Sequence, residues 1–238
     1  MKRTTSMRIV IALALAVAAS ASIALGSATK PVEFKRAELR VEINATDGDA
    51  GLQIDLDHEP WRSISIKRPD GQKILDVMNR GVLRDYGLTE LFSESSEPSF
   101  EEFPLEDFQR LFPPGQYLFE GVTVEGPKMK SLVTLTHRFP AGPTITAPVE
   151  GATVPSRGLV VRWEPGPQPA GIEIVAYQVL VIPDADPKKL FSATVPASVS
   201  QIEIPMASLM VAGDYKVEVL AIEKSGNQTL TEVAFTIG

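Results

Sequence analysis

Cysteine is absent from all 238 residues. Disulfides, thiolate metal sites and cysteine nucleophiles are thereby excluded together, and so is a lipid anchor, which needs a cysteine beside a cleavage site. Histidine occurs only at His58 and His137. Neither lies near a serine in a recognisable pattern, and no nucleophile elbow or paired-histidine metal motif occurs. Paired acids can hydrolyse glycosides, but no motif singles out a pair here, so a non-enzymatic role without cofactor is expected. Positive charge is also short: 23 Lys and Arg face 30 Asp and Glu, a formal net charge of −7. Binding to nucleic acid through counterion release is therefore not expected.

The first residues carry what the composition does not. Lys2, Arg3 and Arg8 precede an apolar run over 9–25, and Gly26, Ser27 and Ala28 follow as small residues. This pattern predicts a signal peptide over 1–28. A retained membrane anchor is the rival reading, because the run approaches the lower limit for a spanning helix. Cleavage removes three cations and takes the net charge from −7 to −10. An exported chain without cysteine points to a bacterial protein, periplasmic or secreted, with no stable membrane insertion after cleavage. The remaining length suits one large domain or two of about 100 residues.

The internal pattern selects two. LVVRWEP at 159–165, YQVLV at 177–181, the run Tyr215, Val217, Val219, Ala221, and EVAFTI at 232–237 alternate apolar and polar residues, as strands with one buried face do. EPGPQP from Glu164, PDADP from Pro183 and Ser225-Gly226-Asn227 read as turns between them. Leu209 stands six residues before Tyr215 with Gly213 between them. That spacing marks a tyrosine corner, in which the ring fills the core and the hydroxyl reaches back to upstream backbone.

With Trp163 and Tyr177 as core aromatics, residues 141–238 resemble a fibronectin type III domain. The resemblance implies an antiparallel sandwich and says little about a ligand. The turn at 223–228 carries no Arg-Gly-Asp, so integrin-type adhesion is not implied.

Upstream, LFPPGQY at 111–117 repeats the spacing, with Leu111 six residues before Tyr117 and Gly115 two before it. AELRVEI at 37–43, GLQIDLD at 51–57 and WRSISIK at 61–67 alternate as strands. The chain is therefore expected to be all-β, with two tandem antiparallel β-sandwiches. An immunoglobulin-like N-terminal one spans 29–140, and the short linker Pro140-Ala141-Gly142-Pro143 leads into the second.

Two stretches could carry chemistry. Asp47, Asp49, Asp55 and Asp57 are the only carboxylates dense enough to suggest calcium, which takes six to eight oxygens. They lack the spacing of a calcium loop, and Asp55 and Asp57 also read as solvent-facing alternates of Ile54 and Leu56. The insertion at 85–112 holds five of the ten phenylalanines. Phe92, Phe100 and Phe103 either lid the first sandwich or form a patch for a partner. Leu105, Phe108, Leu111 and Phe112 share a helical stripe. Asn44-Ala45-Thr46 and Asn227-Gln228-Thr229 match a glycosylation pattern without meaning in a bacterium. The expected function is an exported binding module for a protein or polysaccharide, meeting the Phe-rich segment or a groove between domains. An accessory or catalytic role on polysaccharide and a structural spacer are the alternatives.

Overall fold

The computed structural model describes residues 30–155, 157–205 and 211–238, so the expected signal segment and Leu209 lie outside the described residues. The N-terminal lobe comprises β1 (Arg36–Asn44), β2 (Asp49–Lys67), β3 (Lys73–Met78), α1 (Leu83–Tyr86), β4 (Leu88–Glu94), α2 (Leu105–Leu111), β5 (Gly115–Thr123) and β6 (Lys128–Leu135). It is built around β2. The first half of this 19-residue strand pairs with β1 and β4, and the second half with β3 and β5. The change of layer falls at His58-Glu59-Pro60, where the pairing register shifts. Proline has no N–H to give the ladder, and a strand that bends from one sheet into another makes the corner of a sandwich. A second register shift between Trp61 and Ser63 is a bulge. It leaves Trp61 and Ile64 both buried despite their odd spacing.

The C-terminal lobe follows with β7 (Thr144–Ala147), β8 (Ala152–Val154), β9 (Val160–Glu164), β10 (Ile174–Pro183), β11 (Phe191–Pro196), β12 (Gln201–Glu203), β13 (Gly213–Glu223) and β14 (Gln228–Ile237). One layer is β7-β9-β12 and the other β11-β10-β13-β14, with β8 parallel to β14 at its edge. Trp163, Tyr177, Val179, Val217, Val219 and Phe235 fill the space between them, and the rings of Trp163 and Tyr177 lie 5.5 Å apart. This is the layering of the fibronectin type III sandwich that the sequence resembles. The N-terminal lobe has the same layers: β1-β2-β4 against β3-β2-β5-β6. Val32 even bridges in parallel to Met129 on β6, as β8 does to β14. The difference lies at β2, which runs through where β9 and β10 are separate strands.

Both tyrosines are buried. The Tyr117 hydroxyl donates to the Pro113 carbonyl at 2.9 Å and the Tyr215 hydroxyl to the Val211 carbonyl at 2.8 Å. Each acceptor lies four residues upstream, two later than Leu111 and Leu209. Burial pushes the Tyr117 phenol up to about 12. Leu111 itself is not a core residue, being 46% exposed at the end of α2. At 3.6 residues per turn, Leu105, Phe108 and Phe112 share the inward face while Leu111 rotates off it.

The lobes meet through a shared sheet. β1 pairs in parallel with β14 over Glu42, Ile43 and Asn44 against Gln228, Thr229 and Leu230. Asn227, 1% exposed, sits at the start of this seam. Its Oδ1 accepts from the Val41 N–H at 2.9 Å, and its Nδ2 donates to the Thr136 carbonyl at 2.9 Å and the Arg138 carbonyl at 3.3 Å. Beside it the buried Glu223 accepts from Arg138 Nε at 2.9 Å and the Ser225 N–H at 2.7 Å. Burial pushes the Glu223 carboxyl up, yet these bonds together hold it below the usual carboxylate range. Where a groove between the halves was expected, β1 and β14 pair directly.

Two outcomes test these contacts. Tyr117→Phe and Tyr215→Phe should each cost about 0.5–1.5 kcal/mol in urea unfolding, and the losses should add because the sites lie in separate cores. Strong non-additivity would contradict separate cores. Asn227→Ala strips partners from buried backbone, at about 1–3 kcal/mol for an unpaired group. Calorimetry should then show the two lobes melting apart where the parent melts once. A single transition shifted by less than about 0.5 kcal/mol, as surface changes give, would show that the seam does not couple them.

Candidate functional site

A strip of polar side chains crosses four strands of the joined sheet. Glu94 on β4 stands opposite Gln53 on β2, and Glu42 on β1 opposite Gln228 on β14. Gln53 Nε2 donates to Glu42 Oε2 at 3.0 Å and to Glu94 Oε1 at 2.8 Å, while Arg40 Nε donates to Gln53 Oε1 at 2.8 Å. Gln228 Nε2 donates to the same Glu42 oxygen. Side chains on neighbouring strands lie within about 5.5 Å of one another, which lets residues far apart in sequence build one strip.

Glu97, just past β4, folds back over it. Carboxylate oxygens of Glu42, Glu94 and Glu97 lie within 4.8 Å of one another. Gly51 makes the approach possible, because a Cβ there would stand 2.5 Å from Glu97 Oε1. Burial pushes the Glu97 carboxyl up to about 7, assisted by Glu94, Asp49 and Glu42. Burial also raises Glu42, against the bonds from Gln228 and Gln53. The group therefore gains negative charge near neutral pH. As a cation site it offers three ligand oxygens, one from each carboxylate, about half of the number that calcium takes.

The expected calcium residues do not converge. Asp55 is paired with Arg36 Nη2 at 2.9 Å, and Asp47 accepts from Asn44 Nδ2 at 2.9 Å within the β1–β2 turn. Asp49 opens β2, so at about 3.3 Å per residue Asp55 and Asp57 lie about 20 Å and more along the strand from it. Only Asp49 comes near the carboxylate trio, as one of the charges that raise Glu97. Glu42, Glu94 and Glu97 escaped sequence reasoning because strand pairing assembles them. The one available signal was the acidity of the segment after Asp85.

Of the phenylalanines offered to a partner, only Phe92 is exposed, at 60%. Phe100 and Phe103 are half-buried against the N-terminal core, as the lidding alternative has them. The Phe100 N–H donates to the Gly48 carbonyl at 2.7 Å and the Phe103 N–H to the Ser99 carbonyl at 2.8 Å. These bonds fold the loop back so that α2 and Phe108 close the lobe while the acids stay outside. Trp61, the tryptophan of the N-terminal lobe, is fully buried and offers no platform to a sugar ring. The histidines lie apart: His137 Nε2 contacts the Phe112 carbonyl at 2.9 Å, while His58 packs on Phe34 with ring centroids 5.7 Å apart. Burial lowers the His58 pKa, assisted by Lys35.

No family model matches the sequence, and no curated protein matches it. Among solved structures the chain is similar to the fibronectin(III)-like modules of CbhA from Clostridium thermocellum, with 12% identity, 88% of this chain and 92% of that one covered, and a TM-score of 0.35. A two-domain fibronectin type III segment of chicken tenascin is 12% identical over 84% of this chain and 98% of that one, with a TM-score of 0.31. A tetra-tandem repeat from the extending region of a large adhesion protein is 14% identical over 85% of this chain and 49% of that one, with a TM-score of 0.30. At such scores the fold rests on the strand pairing described above.

Proposed function

We propose that the chain is an exported, non-catalytic interaction module of two tandem sandwiches, and that it binds a basic, extended protein segment along β4. The observation that carries this reading is the composition of an open edge. Among the described residues β4 pairs with β2 alone, and an edge strand presents unpaired backbone groups to an incoming strand. Phe92 is exposed between Glu90 and Glu94, and Glu97 follows. An apolar anchor within a row of carboxylates suits a partner that alternates basic and apolar residues. Export is supported by the charged start and apolar run before Ala28. Among the described residues no helix is long and apolar enough to cross a membrane. A spacer role is a second reading, favoured by the seam between β1 and β14, which joins the lobes through backbone rather than through a free linker.

A photo-crosslinking residue at position 92 tests the binding reading in cells. Adducts should form there and vanish when Glu90 and Glu94 become Lys, whereas the same probe at exposed Leu132, on β6, should give none. Adduct yield should also rise with pH through about 7, because Glu97 loses its proton there and adds negative charge to the strip. Glu97→Gln should flatten that rise. Equal labelling at 92 and 132, or labelling indifferent to charge reversal, would leave the spacer reading standing alone.

A further inference from the structure

The opposite end of the N-terminal lobe is built differently. Between β3 and β4 the chain reads MNRGVLRDY at 78–86. Val82 is 86% exposed and Tyr86 79%, with Met78 and Leu83 also open to solvent. Arg80 and Arg84 stand among them. Among the described residues Arg80 has no ion pair, and Arg84 has one, with its neighbour Asp85 at 3.7 Å. This is an apolar and cationic patch on a chain of net charge −7.

The patch is also held in place. The Asn79 side chain donates to the Trp61 carbonyl at 2.6 Å, and its N–H to the Arg62 carbonyl at 2.8 Å. At the other side Gly87, with φ +86°, lets the backbone close on Pro60 and Val124, where a Cβ would come within 2.7 Å of both. A concavity of about 490 Å³ runs beside Tyr86, walled by Val32, Pro60, Val124 and Pro127 together with Glu125 and with Glu59, which is paired to Lys35. Lys128 and Lys130 lie nearby on β6, around the neighbouring hollow at Pro31 and Met78, where Asp76 and Glu120 are paired with Lys73 and Lys67.

We propose that this end of the lobe docks on the surface of an anionic lipid bilayer. Beyond the patch's own chemistry, the course of the chain selects that partner. Val32 is fixed to β6 by its N–H to the Lys128 carbonyl at 2.9 Å and by the Lys130 N–H to its own carbonyl at 2.8 Å. The chain therefore joins the fold beside Tyr86. The apolar run 9–25 ends seven residues before Val32, a reach of at most about 25 Å at about 3.3–3.6 Å per residue. Where the run is retained as an anchor, the alternative to cleavage, a bilayer that receives it lies within that distance of the patch. Tyrosine favours the headgroup level, arginine is drawn to anionic lipid, and exposed apolar side chains enter the acyl boundary. The inference does not depend on the β4 reading, because it uses none of the same residues.

Spectroscopy on the full chain tests it. Trp61 and Trp163 are buried, so an indole introduced by Tyr86→Trp dominates the difference from the parent in vesicles of phosphatidylglycerol and phosphatidylcholine. Lipids spin-labelled near the headgroup should quench it strongly. The same reporter placed by Val149→Trp, on the other lobe, should stay bright. Adding Arg80→Glu and Arg84→Glu should lower the ratio of docked to undocked lobes about 30-fold or more, at about tenfold for each 1.4 kcal/mol and about 1 kcal/mol per charge. Quenching at 86 should then fall to the level of the control. Equal quenching at 86 and 149, quenching unchanged by charge reversal, or a chain that leaves the vesicles altogether would each overturn the proposal, the last pointing to a protein partner for the patch. Crosslinking at Phe92 reads a different surface, so either idea can fail alone.

Discussion

The architecture depends on one buried amide. Asn227 satisfies a donor on β1 and acceptors on the segment after β6, while its own backbone opens β14. Three stretches far apart in sequence thus converge on one side chain. Only an amide supplies both an acceptor and two donors at such a point, so aspartate at 227 would leave carbonyls facing a carboxylate. With the amide seated, the parallel pairing of β1 and β14 can form, and the Thr229 hydroxyl donates to the Pro140 carbonyl at 2.7 Å to fix the linker. Parallel pairs are slightly weaker per residue than antiparallel ones. A short parallel seam therefore needs the polar support of Asn227 and Glu223 to hold.

The seam and the acidic strip are one construction. Gln228 pairs with Glu42 across the seam and bonds its carboxylate, so the junction residues also shape the charge of the candidate site. Separating the lobes would remove one of the bonds that oppose the rise of Glu42. It would also remove burial, the larger cause of that rise. Lobe geometry and surface charge are coupled through a single glutamine.

Much of this was legible in the sequence, and the reasons for the exceptions are physical. Period-two alternation located most of the strands, and Tyr117 and Tyr215 stood at comparable corners. Each hydroxyl reaches back to the carbonyl four residues upstream, as a tyrosine corner requires. Alternation showed two strands at 51–57 and 61–67 but could not show that they are one, because Pro60 reads as a breaker while the backbone stays extended through it. The site was less legible. Glu42, Gln53, Glu94 and Gln228 come from four strands, and no local pattern encodes which strands become neighbours. Asn227 was visible as a turn residue and as part of an acceptor pattern, where a buried role has no signature of its own.

Strand β4 gives the two proposed surfaces a common geometry. It starts at Leu88 beside Trp61, immediately after the cationic loop, and ends at Glu94 beside Gln53, next to the carboxylate trio. Seven residues at about 3.3 Å each place the ends about 20 Å apart, roughly twice the screening length in about 0.1 M salt. An anionic surface would draw in the arginine end and repel the glutamate end. The lobe would then stand with β4 directed away from the bilayer and its open edge towards solvent. Because the seam joins β14 to β1 in the same sheet, the C-terminal lobe would be carried on the side away from the lipid. Charge that is segregated along one strand thereby orients the whole molecule, and a basic partner at Phe92 could be engaged without competing with the membrane for the same residues.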